Sequence, residues 1–447
     1  MSPFWQHCAD PHAPALVKGP GNAVDYGQLH AAADTFAAAL PHRSLVFIRS
    51  GNNAETVAAY LGCLRHGHVC LLISRDLGAD MLTRLADTYQ PDYIYGPGED
   101  GAYRLEKREG SPLPLHPDLA VLLSTSGSTG SPKLVRLTAA NLQANAAAIA
   151  EYLQLTPQER PVTNLPFYYS YGLSILNSHL LAGAALLLTE ESIISPAFWQ
   201  LCDSCGATSM AGVPYTYDML EAVGFRRRNM PALRSMTQAG GHMSREMVET
   251  YAAWAQERGI RFYVMYGQTE ATARMSYLPP HLAAQHPDSI GIAIPGGSFS
   301  IDAADGSAEG ELVYRGPNVC MGYAETRADL ALGDVNGGVL HTGDVAVCGA
   351  DGLYRITGRL KRFLKIAGNR FSLDELDAHF HRRGIEAVCG GTDGKLLVAI
   401  TDAAQKAAAA AYLKDTWHLM RTQFKVMVVE RIPRSATGKV LYRELFG

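Results

Sequence analysis

Short apolar runs alternate with alanine-rich stretches along most of this chain, and that alternation leaves few architectures open. SLVFI (44–48), VCLLI (69–73), AALLL (184–188) and RFYVM (261–265) have the length and apolar character of buried strands. YGQLHAAADTFAAAL (26–40) and NLQANAAAIAEYLQL (141–155) carry helical spacing. Strands of this kind, separated by helices, imply an α/β fold of parallel sheets covered by helices. At 447 residues the chain exceeds one ordinary core. The texture then changes: GGSFSIDAADGSAEGELVYRGP (296–317) is glycine-rich and strand-like, as in a small β subdomain. After YRITGRLKRFLK (354–365) comes a last stretch of strand and helix patterns, with a helix-forming alanine run at 403–411. The expected plan is a large N-terminal domain over 1–358, made of helix-covered sheets plus the small β subdomain. A small, mobile α+β C-terminal domain over 359–447 completes it.

Composition excludes several function classes. Apolar residues make up 47% and charged residues 18%, the balance of a globular protein. A net charge of −4 gives no electrostatic reason to expect nucleic acid or an anionic membrane as partner. No apolar run approaches the roughly 20 residues of a membrane-spanning helix. The start, MSPFWQHCADPHAP, lacks the basic-then-apolar pattern of a secretory signal. The eight cysteines are scattered without a disulfide framework, which points to a reducing, cytoplasmic setting. Cys202 and Cys205 form one CxxC, but a zinc site needs a second ligand pair and none is near. Ordinary buried cysteines are the expectation.

The stretch STSGSTGSPKL (124–134) follows the apolar run LAVLL (119–123). Glycines let backbone N–H groups approach phosphate oxygens, hydroxyls add donors, and Lys133 supplies charge. It is not the P-loop pattern, because Gly127 and Gly130 are only three apart and Pro132 precedes Lys133. Taken alone, such a loop is more often a linker. Its place after a strand favours phosphate.

Four other stretches bear on the same chemistry. YGQTEAT (266–272) leaves the strand RFYVM, where α/β sheets bind ligands. Glu270 there suits Mg²⁺ through one carboxylate, and Thr269 can donate to phosphate. HTGDVA (341–346) sets Asp344 after a tight turn, able to accept from ribose hydroxyls. TGRLKRFLKIAGNRFSLDELD (357–377) is basic, then glycine-punctuated, then acidic, with Arg359 in reach of a ribose. PRSATGKVLYREL (433–445) presents Lys439 on a Gly-Lys corner. Each has a plainer reading in isolation: a solvated glutamate, a turn aspartate, a wet basic surface, a frayed terminus.

Together these stretches resemble the adenylate-forming superfamily of acyl-CoA synthetases, aryl-acid ligases, nonribosomal adenylation domains and luciferases. STSGSTGSPKL resembles its phosphate loop and YGQTE its adenine and magnesium segment. GELVYRGPNVCMGY (310–323) resembles the glycine-rich segment that comes next. HTGDV resembles the ribose-binding segment, GRLKRFLKIAGNRFSLDELD the hinge region, and PRSATGK the terminal lysine segment. Six segments in order over 117–447 carry the resemblance, and the first 116 residues match more loosely, best at LGCLRHGHVCLLISRD (61–76).

The resemblance implies roles residue by residue. Ser124, Thr125, Ser126, Gly127, Thr129, Gly130 and Lys133 would wrap a triphosphate. Thr269 and Glu270 would meet the phosphates and Mg²⁺. Tyr266 and Gly267 would lie at the adenine, as would Gly240 and Gly241 of QAGGHM (238–243). Asp344 and Arg359 would hold the ribose. Lys439 would stabilise the charge that develops as a carboxylate attacks the α-phosphate. Lys361 falls at the hinge, where many members carry aspartate and hydroxycinnamate ligases carry lysine. Gly368 would flank a pantetheine tunnel. Leu134 stands where many members have glycine, past the phosphate-contacting part. The implied reaction uses ATP and Mg²⁺ to make an acyl-adenylate, which a thiol then takes up with release of AMP. The same segments would also serve an amide- or ester-forming enzyme. A non-catalytic nucleotide-binding relative is disfavoured because Lys133, Glu270, Asp344 and Lys439 are all present.

Substrate and acceptor are less determined. LPFYYSYGLSILNSHLLAGA (165–184) resembles the acid-pocket segment. Amino-acid-adenylating members place an aspartate where this chain has Tyr169, and no acid occurs in 165–180. A buried ammonium without a counter-ion is costly, so an α-amino acid is disfavoured unless Asp218 serves. Tyr168, Tyr169, Ser170 and Tyr215, with Tyr171 and Tyr217 near, suit an aryl acid or a short to medium acyl chain. The expected acceptor is separate from the chain, either CoA or a discrete acyl carrier protein, because no carrier segment follows Lys439. The short segment after 359 leans toward the carrier.

Overall fold

The computed structural model describes residues 2–124, 133–303, 307–360, 362–366, 369–434 and 440–446. The chain divides into two compact units, 1–299 with 314–340, and 300–313 with 341–447. The boundary read at 358/359 falls inside the second unit, within the strand Tyr354–Arg359.

A seven-stranded sheet organises the first unit. Its spatial order is Tyr323–Ala324, Leu134–Thr138, Leu119–Ser124, Val69–Ser74, Leu45–Ser50, Tyr93–Pro97 and Tyr103–Lys107. The four strands from Leu119–Ser124 to Tyr93–Pro97 run parallel. Both edges are antiparallel. The sheet is therefore mixed, with the expected parallel centre. The apolar runs of Leu45–Ser50 and Val69–Ser74 are buried on both faces, as a helix-covered sheet requires. A five-stranded sheet holds Ser209–Gly212, Ser235–Gln238 and Arg261–Tyr266 in parallel, then Ser276–Leu278 and Ile292–Ala293 antiparallel. The run at 184–188 gives a shorter strand than expected, Leu186–Leu187, because only two residues pair with the strand Pro14–Gly19.

Two helices contribute to the site. Ala139–Leu153 starts at Thr138, whose hydroxyl accepts from Asn141 N while the Asn141 side chain accepts from Thr138 N, each at 2.9 Å. This reciprocal cap sets the helix start directly after a sheet strand. Ser170–Leu181 is buried on every side. Cys202 and Cys205 are both buried and free, on the helix Pro196–Cys205. Among the described residues no helix is long and apolar enough to cross a membrane.

Arg136 locks the sheet edge. Its side chain is fully buried on the strand Leu134–Thr138. Nε donates to Tyr323 O at 3.1 Å, and Nη2 donates to Met321 O at 2.9 Å and Gly333 O at 3.2 Å. Nη1 donates to Leu332 O. Carbonyl oxygens thus take up every arm of the guanidinium, and residues 321–333 are held against the strand.

The second unit contains most of a four-stranded sheet, Ser298–Asp302, Glu309–Arg315, Val339–Cys348 and Tyr354–Arg359. Beyond it lies a three-stranded sheet, Ala387–Thr392, Lys395–Ile400 and Phe424–Val428. The helices Leu373–His381 and Lys406–Asp415 accompany this sheet. Leu364, Leu376, Phe380, Val398, Leu413 and Phe424 belong to a core of their own, formed entirely by residues after 363. The alanine run at 403–411 becomes a 3₁₀ turn followed by that second helix.

Arg136→Met is expected to lower stability by about 3 kcal/mol or more, because several buried carbonyls lose their donor together. Urea denaturation of the variant and the parent protein checks this.

Candidate functional site

The strand Arg261–Tyr266 ends in a turn that few sequences can make. A Cβ on Gly267 would stand 1.7 Å from Ala273 O, so only glycine fits there. Thr269–Ala271 form one 3₁₀ turn. Thr272 and Ala273 then take positive φ, 59° and 108°, a costly conformation for residues with a Cβ. Neighbouring groups hold it. Asn318 Nδ2 donates to Ala271 O at 2.7 Å and Arg274 O at 3.1 Å, and Thr272 Oγ1 donates to Asn318 O at 2.6 Å. Tyr314 OH fixes Asn318 Oδ1 at 2.8 Å. Cys320 N donates to Glu270 O at 2.8 Å. The result is that Thr269 and Glu270 stand on a rigid spur. Gln268 Nε2 donates to the Tyr266 hydroxyl at 3.2 Å at its base.

Glu270 meets Tyr323 from the edge of the seven-stranded sheet, and Lys133 packs over that ring. Tyr323 OH donates to Glu270 Oε1 at 2.6 Å. Lys133 Nζ lies 3.7 Å from the centroid of the Tyr323 ring and 3.6 Å from Glu325 Oε1. Burial, and next the Glu270 carboxylate, push the Tyr323 hydroxyl well above its ordinary pKa, so it stays a donor. The tyrosine therefore links the lysine that follows the serine-rich loop to the glutamate of the spur. The sequence singles out the segment GELVYRGPNVCMGY but no one residue within it. Both Asn318 and Tyr323 lie there. Ser124 ends the strand Leu119–Ser124 and is exposed. Thr125, Ser126, Gly127, Thr129 and Gly130 lie outside the described residues, as do Lys361, Gly368 and Lys439.

A second group of residues gathers where the helix Ser170–Leu181 begins. Ser170 Oγ and Thr269 Oγ1 are 3.1 Å apart. Gly240, at φ +83°, approaches Tyr169 so closely that a Cβ would stand 2.4 Å from its hydroxyl. Gln238 Nε2 donates to Gly241 O at 2.9 Å and shapes that glycine turn. Burial raises the Tyr169 hydroxyl to about 12. Tyr171 OH pairs with Thr237 Oγ1 at 2.7 Å, and Tyr217 OH donates to Thr237 O at 2.9 Å. Both rings are buried in the core. Tyr168 is half-buried, while Tyr215 and Asp218 are exposed on the helix Pro214–Ala222.

In the second unit Asp344 and Arg359 are cross-strand partners, with Nε 2.8 Å from Oδ1. Asp344 is buried and Arg359 largely exposed. The turn before Asp344 is fixed by Thr342 Oγ1, which accepts from Asp344 N at 3.1 Å and donates to Leu312 O at 2.7 Å. Among the described residues, Asp302, Glu311 and His341 bring ligand-type atoms within 4.8 Å of one another. Glu311 already accepts from Gly343 N at 2.9 Å and faces His341 Nδ1 at 3.0 Å.

The profile of the AMP-binding enzyme family matches residues 4–324. The chain is 26% identical to a probable CoA ligase of Humulus lupulus, over 93% of this chain and 88% of that protein. It is 31% identical to a long-chain-fatty-acid–CoA ligase of Salmonella typhimurium, over 73% of this chain and 61% of that protein. The fold is similar to that of an o-succinylbenzoate coenzyme A synthetase from Bacillus subtilis in complex with AMP. That likeness has a TM-score of 0.81 at 21% identity and covers 100% of this chain and 98% of the other.

Removing the Tyr323 hydroxyl should loosen Glu270 while leaving a ring under Lys133. Tyr323→Phe is expected to raise the Mg²⁺ concentration for half-maximal ATP–pyrophosphate exchange about tenfold, the scale of one hydrogen bond to a charged group. A Mg²⁺ titration of the variant checks it. An unchanged midpoint would remove Tyr323 from the site.

Proposed function

The chain belongs to the AMP-binding enzyme family, and from that premise we propose how it joins a carboxylic acid to a pantetheine thiol. It is an AMP-forming acid–CoA ligase family enzyme. In the first step a carboxylate oxygen attacks the α-phosphorus of ATP, the bond to pyrophosphate breaks, and an acyl-adenylate forms. In the second, a thiolate attacks the acyl carbon and AMP leaves. The observation that carries this reading is the rigid spur with Thr269 and Glu270 at its tip and Lys133 nearby, joined through Tyr323. Phosphoryl transfer asks for positioned charge and little else, and a spur that cannot relax supplies it.

Glu270 fits Mg²⁺, being a half-buried hard-oxygen donor whose other contact is a neutral hydroxyl. The ion, when bound, would neutralise charge on the phosphates. Ser124, Lys133 and the loop between them would wrap the triphosphate. Gly240, Gly241, Tyr266 and Gly267 would face the base, and Asp344 with Arg359 would hold the ribose. Lys439 would oppose the charge that builds on the α-phosphate.

The segment after 359 would act as a lid. Support comes from its separate core, built only from residues beyond 363. Lys361 would be the hinge that lets this body turn between the two half-reactions, and Gly368 would then border the pantetheine. The acid would be aryl or a short to medium acyl chain. The exposed position of Asp218, and the absence of any acid in 165–180, argue against an α-amino group. CoA is the acceptor best supported, since the Humulus lupulus and Salmonella typhimurium relatives are CoA ligases.

ATP–pyrophosphate exchange against aryl, short-chain, medium-chain and amino acids is expected to give a non-amino responder. Thioester yield with CoA and with a phosphopantetheinylated carrier, at matched concentrations, then fixes the acceptor, and a clear carrier preference would displace CoA. Lys439→Ala is expected to slow exchange on the order of 10²-fold with ATP binding largely kept. Equal exchange rates would end the assigned role.

A further inference from the structure

Two arginines in the first unit are fully buried, and they are not alike. Arg136 gives its guanidinium to four backbone carbonyls. Arg274 has no such partners. Nε donates to Ser174 Oγ at 3.1 Å, and Nη1 donates to Tyr152 OH at 3.0 Å and to Met265 Sδ at 3.3 Å. The guanidinium carbon lies 5.0 Å from the centroid of the Tyr171 ring. These are two neutral hydroxyls, a thioether and a ring face. None is acidic, and Nη2 donates to no described residue.

The surroundings are apolar. Tyr152, Tyr171 and Met265 belong to one core cluster with Ile149, Leu165 and Ile175. A permanently charged side chain placed there without a counter-ion is costly, and the cost is removed by an anion that arrives with the ligand. The one titratable cation nearby offers no competition. His179 Nδ1 donates to Ile175 O at 2.8 Å, and burial, with a smaller effect from Arg274, lowers its pKa to about 4.

Position ties Arg274 to the acid-binding region. Ser170 and Ser174 are one helical turn apart on one helix face. Ser170 touches Thr269, while Ser174 takes Arg274. One turn sets the spur hydroxyl and the guanidinium about 6 Å apart along the helix. An acid whose reacting carboxylate lies at Thr269 would carry its far end toward Arg274.

We propose that Arg274 binds a second carboxylate of the acid substrate, so that the enzyme activates dicarboxylic acids whose two carboxylates stand about one helical turn apart. This rests on the ligase reading. Arginine suits the task because its unused N–H pair can meet a carboxylate in a two-point contact.

The test is ATP–pyrophosphate exchange with matched pairs: adipate against hexanoate, glutarate against pentanoate, terephthalate against benzoate. The wild-type protein is expected to favour at least one diacid over its monoacid partner about 10²-fold in kcat/KM. Arg274→Met should erase that preference, mainly through KM for the diacid, while monoacids hold steady or improve. Arg274→Lys should keep part of it. Wild-type exchange with monoacids as good as or better than diacids would overturn the inference and leave the ligase reading intact. Silence with all acids would overturn both. Should Arg274→Met fail to fold, the wild-type comparison still decides.

Discussion

Everything at the site depends on a backbone conformation that the chain would not choose locally. Thr272 and Ala273 sit at positive φ, and Gly267 leaves no room for a side chain. Such geometry costs a few kcal/mol in general and persists only when surroundings over-determine it. Asn318 does so with three hydrogen bonds, and Tyr314 fixes Asn318 in turn. The strain is the reason Thr269 and Glu270 leave the sheet as a stiff projection and not as a mobile loop.

Charge is arranged around that projection economically. Glu325, Lys133, Tyr323 and Glu270 follow one another in a chain of contacts, with the cation next to one carboxylate and the hydroxyl next to the other. Each charged group therefore has a partner, and none needs to fold back on itself. A triphosphate would exchange these contacts for stronger ones, since a phosphate outcompetes a ring face for an ammonium group. Arg136 keeps Tyr323 in register by gripping its carbonyl and that of Met321, two residues before it.

Much of this was legible in the sequence because it follows from pattern. The apolar runs at 44–48 and 69–73 could hardly be anything other than buried strands, and the stretch 141–155 carried helical spacing, though its reciprocal cap at Thr138 emerged only from the structure. The membership of the AMP-binding enzyme family could be read from the residue types and order of its segments. What could not be read was partnership across distance. Asn318 lies 44 to 47 residues from the groups it clamps, and nothing in its own neighbourhood marks it. The sequence reading passed over Arg274, and only the packing of two helices and a strand around it shows that it is buried. Mixed edges on the parallel sheets also escaped, because an antiparallel return is set by the connection and not by strand composition.

The segment from Tyr314 to Ala324 reaches the two largest sheets of the first unit. Asn318 closes the turn of the five-stranded sheet, and Tyr323 with Ala324 adds the last strand of the seven-stranded one. Its contacts span long stretches of chain, and closing such loops costs entropy that only the completed contacts offset. A chain in which this segment had not docked would lack the clamp on the Thr269–Glu270 turn. Nucleotide, in turn, would bind only chains that had finished, and would draw the folding equilibrium toward completion.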